Sequence, residues 1–284
     1  MSPITLVVSD VDGTLVNKDK QLTPGVIDAV ARLRGGGTRF TVISARPMSG
    51  MMPIADLLGL DEPMGAFNGG IVFRCGGEVL SHVTIPEDVA RGVWAAADGV
   101  EADRWVFADD RWYCSVDRGE HARRERVSSN QEPIVTDDME ALLDRADKIT
   151  FVSDDEPLLI ALHEKIGGYG DRATIGQSQS YYLDVTALAA NKGDGVEALV
   201  EAIGVDLAAT AVIGDQANDL PMLERAGLSI AVGNAPPHVR KAAGHVAASH
   251  EEDGVADAID RFILPCVDAE LGGARSVPFH EGEG

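Results

Sequence analysis

Residues 4–9 form a mainly apolar run rich in β-branched side chains, which predicts a strand covered on both faces. Thr23 and Pro24 then supply an N-cap and a first helical residue. Val26, Val30 and Leu33 recur at helical spacing, and Gly35-Gly36-Gly37 gives the stop. The pattern next predicts a strand at 40–43 ending in Ser44, a helix over 47–58, and a third strand at 64–67 that ends at Asn68-Gly69-Gly70. Strand, helix and strand joined by short links imply a parallel sheet with right-handed crossovers.

The rhythm changes between 83 and 185. A helix over 86–97 is followed by strands at 104–108 and 112–116 around the turn Asp109-Asp110-Arg111, and two further helix and strand pairs end at 180–185. Trp94, Trp105 and Trp112 fall in this stretch. It reads as an inserted α/β domain with a partly antiparallel sheet. The parallel rhythm then resumes with a helix over 192–203, a strand at 211–214, a helix, a strand at 228–232 and a closing helix over 254–263. The fold class is α/β. Residues 1–82 and 186–264 form a discontinuous core, 83–185 the insertion, and 265–284 an aperiodic, acidic, Gly-rich tail expected to be mobile.

Composition narrows the classes of partner. The 284 residues are 45% hydrophobic and 25% charged, as in an ordinary globular chain with room for one large or two moderate cores. No apolar stretch is long enough for a membrane span, and no secretory signal is visible. Cys75, Cys114 and Cys266 are odd in number and widely spaced, which fits neither a disulfide framework nor a zinc site and suggests a cytoplasmic setting. The net charge of −22 disfavours nucleic acid and anionic membranes as partners. It would also repel a phosphorylated ligand, so an anion-binding site here must carry local cations or a metal.

In an open parallel sheet, ligands bind beyond the carboxyl ends of the strands. Asp10 and Asp12 follow the first strand, Ser44 the second and Asp215 the strand "AVIGD", while Lys192 opens a helix. Each has a bland reading by itself: Asp12-Gly13 as a turn, Ser44 as an N-cap, Lys192 as a solvated helix start, Asp215 and Asp219 as caps. Together they suggest phosphoryl transfer through a covalent aspartyl-phosphate. The obstacle for a carboxylate nucleophile is repulsion by the phosphate. A hard dication such as Mg²⁺ on oxygen ligands removes it.

The pattern "DVDGTL", Ser44-Ala45-Arg46, Asn191-Lys192-Gly193, "GDQANDLPML" and "AVGNA" resembles the haloacid dehalogenase-like (HAD) phosphatases, and among them the Cof-type subfamily with a large (type IIB) cap after the third core strand. The resemblance runs from about residue 4 to 263. It implies a Rossmann-like parallel-sheet core with an inserted α+β cap, with Asp10 as nucleophile and Asp12 as general acid/base. It implies Ser44, Lys192 and Asn218 on the transferring phosphate, and Asp10, Asp12 and Asp215 on Mg²⁺ with Asp219 close by. Ala45, Arg46, Asn68 and Gly69 would lie beside the substrate. Two positions depart from the family pattern: Ser44-Ala45-Arg46 stands where Thr-Gly-Arg is usual, and Gln216 where Gly, Ser or Asn is common.

The resemblance implies a small phosphorylated metabolite as partner, first among them sugar phosphates. A phosphomutase using the same aspartyl-phosphate, or a non-catalytic phospho-ligand-binding protein, are the alternatives. Leaving-group recognition is expected in the cap, with 177–182 ("QSQSYY") as one candidate and ordinary strand packing of Tyr181 and Tyr182 as the other reading. Arg46 is open between a second anionic group of the ligand and an acidic neighbour. Oligomeric state is not legible.

Overall fold

The computed structural model describes residues 3–265; most of the expected tail, from 266 onward and including Cys266, lies outside the described residues. The described chain divides into two compact units: residues 3–40, 205–216 and 223–265, and Thr41–Gly204 with Ala217–Met222.

The first unit is built on parallel strands. The apolar run becomes the strand Leu6–Ser9, all four residues buried, paired in parallel with Thr210–Gly214 in the register Leu6 to Thr210 and Ser9 to Ile213. Thr210–Gly214 pairs in turn with Leu228–Ala231, and that strand with His245–Val246. On the opposite flank of Leu6–Ser9 the strand Arg39–Val42 begins, the Arg39 N–H donating to the Thr5 carbonyl at 2.9 Å, and from Thr41 onward the chain belongs to the second unit. In Leu6–Ser9 and Thr210–Gly214 every residue is buried, on both faces, which explains their lack of polar alternation, whereas the edge strand His245–Val246 is exposed.

The helix Pro24–Gly35 covers this sheet through Val26, Ala29, Val30 and Leu33. Its N-terminus is built as the residue types require: the Thr23 hydroxyl accepts from the Val26 N–H at 3.2 Å and donates to Asp253 at 2.5 Å. A cap of this kind is worth about 1 kcal/mol. Asp253 immediately precedes the closing helix Gly254–Ala258, which widens into a π turn at Ile259–Ile263. Arg32 clasps Asp260 at 2.6 Å and links the two helices at their exposed edge.

The second unit contains a six-stranded sheet. Its order is Ala173–Gln179, Tyr182–Ala187, Lys148–Val152, Asp103–Ala108, Arg111–Cys114 and Ile134–Val135, antiparallel except for the last pair. Asp109 and Asp110 both have positive φ (55° and 52°), the geometry of a two-residue hairpin turn closing Ala108 onto Arg111. One face of the sheet packs on the helices Glu87–Ala96 and Glu156–Ile166 through Val106, Ile149, Phe151, Leu183 and Val185, with Val89, Val93, Leu159 and Leu162 from the helices.

The third predicted strand requires correction. Met64–Ala66 keeps the predicted parallel direction only in the single parallel bridge Ile43–Gly65, and its ladder is the antiparallel one with Ile71–Phe73. Ile71–Phe73 then pairs with Val79–His82. The strand also stops one residue early, because Phe67 and Asn68 turn to left-handed φ (48° and 59°). Val79–His82 escaped the hydrophobic pattern because all four of its residues are exposed. Across 148–152 the fold shows the converse: Lys148 and Thr150 interrupt an apolar run, yet every residue of the strand is buried.

Candidate active site

In the first unit, Asp10 and Asp215 leave the carboxyl ends of adjoining parallel strands. The Asp10 N–H donates to the Ile213 carbonyl at 2.9 Å, so the pairing runs one residue past the strand and fixes where the Asp10 side chain begins. Both carboxylates are buried, 4% and 2% exposed, and offer oxygens within 4.8 Å of each other. Two charges at that distance repel by roughly 3 kcal/mol at an effective dielectric of 20. A cation between them would reverse the sign.

Asp215 is held from several sides. The Thr14 hydroxyl donates to Oδ1 at 2.9 Å, Gln216 Nε2 to Oδ2 at 3.1 Å, and Asn234 Nδ2 to Oδ2 at 3.4 Å and to the Gly13 carbonyl at 2.8 Å. Gly13 has φ of 84°, and a Cβ there would stand 2.6 Å from Asp215 Oδ2. The glycine of "DGT" is therefore required twice, by its backbone conformation and by the carboxylate beside it. Asp12 is half-buried, and its Oδ1 accepts from Lys20 Nζ at 2.7 Å.

In the second unit, Ser44 is 1% exposed. Its N–H donates to the Gly65 carbonyl at 2.9 Å, its carbonyl accepts from the Asn68 N–H at 2.7 Å, and its hydroxyl accepts from the Arg46 N–H at 3.2 Å. Arg46 is buried, and its Nη1 donates to the Gly50 carbonyl at 3.1 Å, tying it to the first turn of the helix Met48–Leu58. Ala45 lies between these two anchored residues. Asn68 Oδ1 accepts from Asn218 Nδ2 at 3.3 Å. Gly69, with φ of 94°, lies so close to the helix Lys192–Ile203 that a Cβ would come within 2.3 Å of the Gly195 Cα.

Asn191 caps that helix, its Oδ1 accepting from the Asp194 N–H at 3.0 Å. This aims Lys192 inward, where its ammonium meets the Asp219 carboxylate. Both side chains of that pair are sealed, 1% and 0% exposed.

The sequence-predicted residues thus form two sets: Asp10, Asp12 and Asp215 in the first unit, and Ser44, Ala45, Arg46, Asn68, Gly69, Lys192, Asn218 and Asp219 in the second. Thr14, Lys20 and Asn234 were not singled out from the sequence. Thr14 and Asn234 stand inside quoted patterns, "DGT" and "AVGNA", where their hydroxyl and amide were available signals. Lys20 carried none.

A carboxylate pair at the carboxyl edge of a parallel sheet, with a sealed lysine elsewhere in the chain, is the equipment of a hydrolase of the phosphatase type, and the relatives agree. The model of the haloacid dehalogenase-like hydrolases matches residues 7–259. The chain belongs to this family. An HMP-PP phosphatase of Escherichia fergusonii is 31% identical over 244 residues, 85% of this chain and 88% of that protein. The crystal structure of a haloacid dehalogenase-like hydrolase from Bacteroides thetaiotaomicron superposes with a TM-score of 0.82 at 25% identity, covering 90% of this chain and 98% of the other. A HAD subclass IIB sugar phosphatase shares the fold, with a TM-score of 0.78 at 23% identity over 91% of this chain and 98% of the other. Among the described residues no helix is long and apolar enough to cross a membrane.

Proposed function

We propose that this chain is a Mg²⁺-dependent phosphatase of small phosphate monoesters, first among them sugar phosphates, working through a covalent phosphoryl group on Asp10. The observation that carries the reading is the buried pair Asp10 and Asp215, two carboxylates at adjoining strand ends whose oxygens come within 4.8 Å of each other.

The donor set suits a hard dication. All the side-chain ligands on offer are carboxylate oxygens, and Asp215 is oriented by Thr14, Gln216 and Asn234. Asp10 and Asp215 would hold Mg²⁺ through their carboxylates, with the main-chain carbonyl of Asp12 as a third oxygen and Asp219 close by. When bound, the ion supplies the positive charge that lets an anionic phosphate approach an anionic nucleophile.

The residues then divide the work. An Asp10 oxygen attacks phosphorus and the ester P–O bond breaks, with Asp12 giving its proton to the departing alcohol oxygen. Asp12 next takes a proton from water, whose oxygen bonds to phosphorus as the Asp10–phosphorus bond breaks. Phosphate leaves, Asp10 is again a free carboxylate and Asp12 again carries its proton. Ser44, Lys192 and Asn218 hold the phosphoryl oxygens, where fixed donors offset charge building in the transition state. Ala45, Arg46, Asn68 and Gly69 shape the surroundings.

On this reading the enzyme acts on a cytoplasmic metabolite, without nucleic acid or membrane as partner. The HMP-PP phosphatase relative widens the esters worth screening beyond sugar phosphates. The direct test is Asp10→Asn with p-nitrophenyl phosphate. Turnover should fall by at least about a thousandfold, as removal of a nucleophile does, with circular dichroism unchanged. Undiminished turnover would remove Asp10 from the reaction.

A further inference from the structure

The sheet face of the second unit that turns away from the helices carries Trp105, Phe107, Lys148, Thr150, Tyr182 and Asp184, by strand alternation from the residues of the helix-covered core. Lys148 is the anomaly on it. It is 8% exposed, and its ammonium lies 4.3 Å from the Phe107 ring centre and 6.0 Å from that of Phe67. Among the described residues no hydrogen bond or ion pair reaches that ammonium. This is notable in a chain with 46 acidic and 24 basic residues.

A carboxylate does share the face, but it is engaged elsewhere. Asp184 stands opposite Thr150 and accepts its hydroxyl at 2.7 Å, whereas Lys148 stands opposite Phe107 and Thr186. The Lys148 stem is packed under the strand's neighbours while the ammonium keeps contact with solvent, so an incoming anion can reach a cation that only aromatic faces engage. The surroundings of Lys148 point to a ligand. Phe67 opens the turn Phe67–Gly69, whose Asn68 bonds to Asn218, and the residue after Asn218 is Asp219, the partner of Lys192. The unpaired cation therefore stands beside the turn that leads to the sealed lysine, all within one unit.

We propose that Lys148 is a specificity-determining residue that takes a second anionic group, a carboxylate or a further phosphate, on the organic part of the phosphate ester. The inference rests on the phosphatase reading above and narrows it to doubly anionic substrates such as phosphorylated sugar acids or sugar bisphosphates. A lysine ammonium is a compact point charge that serves either anion, without the planar match an arginine would impose.

The test uses matched pairs: glucose 6-phosphate against 6-phosphogluconate, and fructose 6-phosphate against fructose 1,6-bisphosphate. The wild type should show a KM about 30-fold lower for the doubly anionic member of at least one pair, the scale expected of a close charge pair. Which pair responds tells carboxylate from phosphate. Lys148→Met should erase the preference by raising KM, with p-nitrophenyl phosphate turnover retained, and Lys148→Arg should restore part of it. Equal KM within both pairs, or a preference that survives in Lys148→Met, would overturn the assignment. Absence of any p-nitrophenyl phosphate turnover by the wild type would instead defeat the phosphatase reading. Calorimetric binding of 6-phosphogluconate and glucose 6-phosphate to wild type and Lys148→Met would still decide the role of Lys148 in that event.

Discussion

Lys192 and Asp219 form an ion pair in which neither side chain meets solvent. Removing one partner strands the other charge in the interior, at a cost of about 3–5 kcal/mol. Asp219→Asn should therefore lower the free energy of unfolding by that order, read from the urea midpoint at constant m-value. The double variant Lys192→Met/Asp219→Leu should recover most of the stability, since a buried pair replaced by apolar groups is often neutral. It should not recover phosphatase activity, because Lys192 is proposed to hold the phosphate. Recovery of both would reduce the pair to packing.

Gly13 provides a sharper steric test. Its φ of 84° and the 2.6 Å approach of a built Cβ to Asp215 Oδ2 mean that Gly13→Ala must either strain the backbone or displace the carboxylate. The strain alone is worth about 1–3 kcal/mol. Activity should fall further than stability accounts for, because Asp215 would lose its place between Thr14 and Asn234. A variant with reduced Tm but unchanged kcat and metal requirement would show that Asp215 tolerates displacement.

These two positions also show what a sequence reveals and what it conceals. Asp10, Gly13 and Asp215 were legible because they follow apolar runs whose strand ends are fixed by local pattern, and the parallel pairing of those two strands carries them to one edge of the first unit's sheet, while Ser44 ends an apolar run of its own. The family resemblance rested on the same residues. What stayed hidden depends on contacts distant in sequence or on exposure. The Thr14 hydroxyl reaches a carboxylate 201 residues away, Lys20 pairs with Asp12 only because its own φ of 60° turns the chain, and Val79–His82 is an exposed strand with no periodic signal. Lys148 carried no signal in the sequence, yet it is buried with the rest of its strand.

The proposed metal requirement leads to a measurement independent of turnover. If Asp10 and Asp215 hold Mg²⁺, the ion binds the native state alone and should stabilise it by about 2.7 kcal/mol at a hundredfold excess over Kd. Differential scanning calorimetry should show Tm rising with Mg²⁺ in the wild type and scarcely moving in Asp10→Asn or Asp215→Asn. EDTA should abolish phosphatase activity, with Mg²⁺ restoring it. A Tm indifferent to Mg²⁺ in the wild type would count against this carboxylate pair as the site.

Asp147 carries the last prediction, this one on pH. Its carboxyl is buried, one oxygen accepts or shares the His82 Nε2 hydrogen bond at 2.5 Å, and the other has no partner among the described residues. Burial pushes its pKa from 3.8 up to about 6, against the opposing pull of the His82 hydrogen bond and charge, while Asp109 and Asp110 add to the rise. A carboxyl whose pKa is raised on folding binds its proton more tightly in the native state. Its contribution is fully present below about pH 3.8 and is lost as pH climbs through about 6. Two pKa units correspond to about 3 kcal/mol. The stability of the wild type relative to Asp147→Asn should thus decline by that order between pH 3.5 and 7, read from urea melts at fixed ionic strength (pH limits being roughly those that bracket the titration). Asparagine keeps the shape and an oxygen for His82 but cannot ionise, so its own profile lacks this component. A wild-type-to-variant difference that stays level across the window would mean that Asp147 titrates as an ordinary carboxyl, its burial compensated by His82.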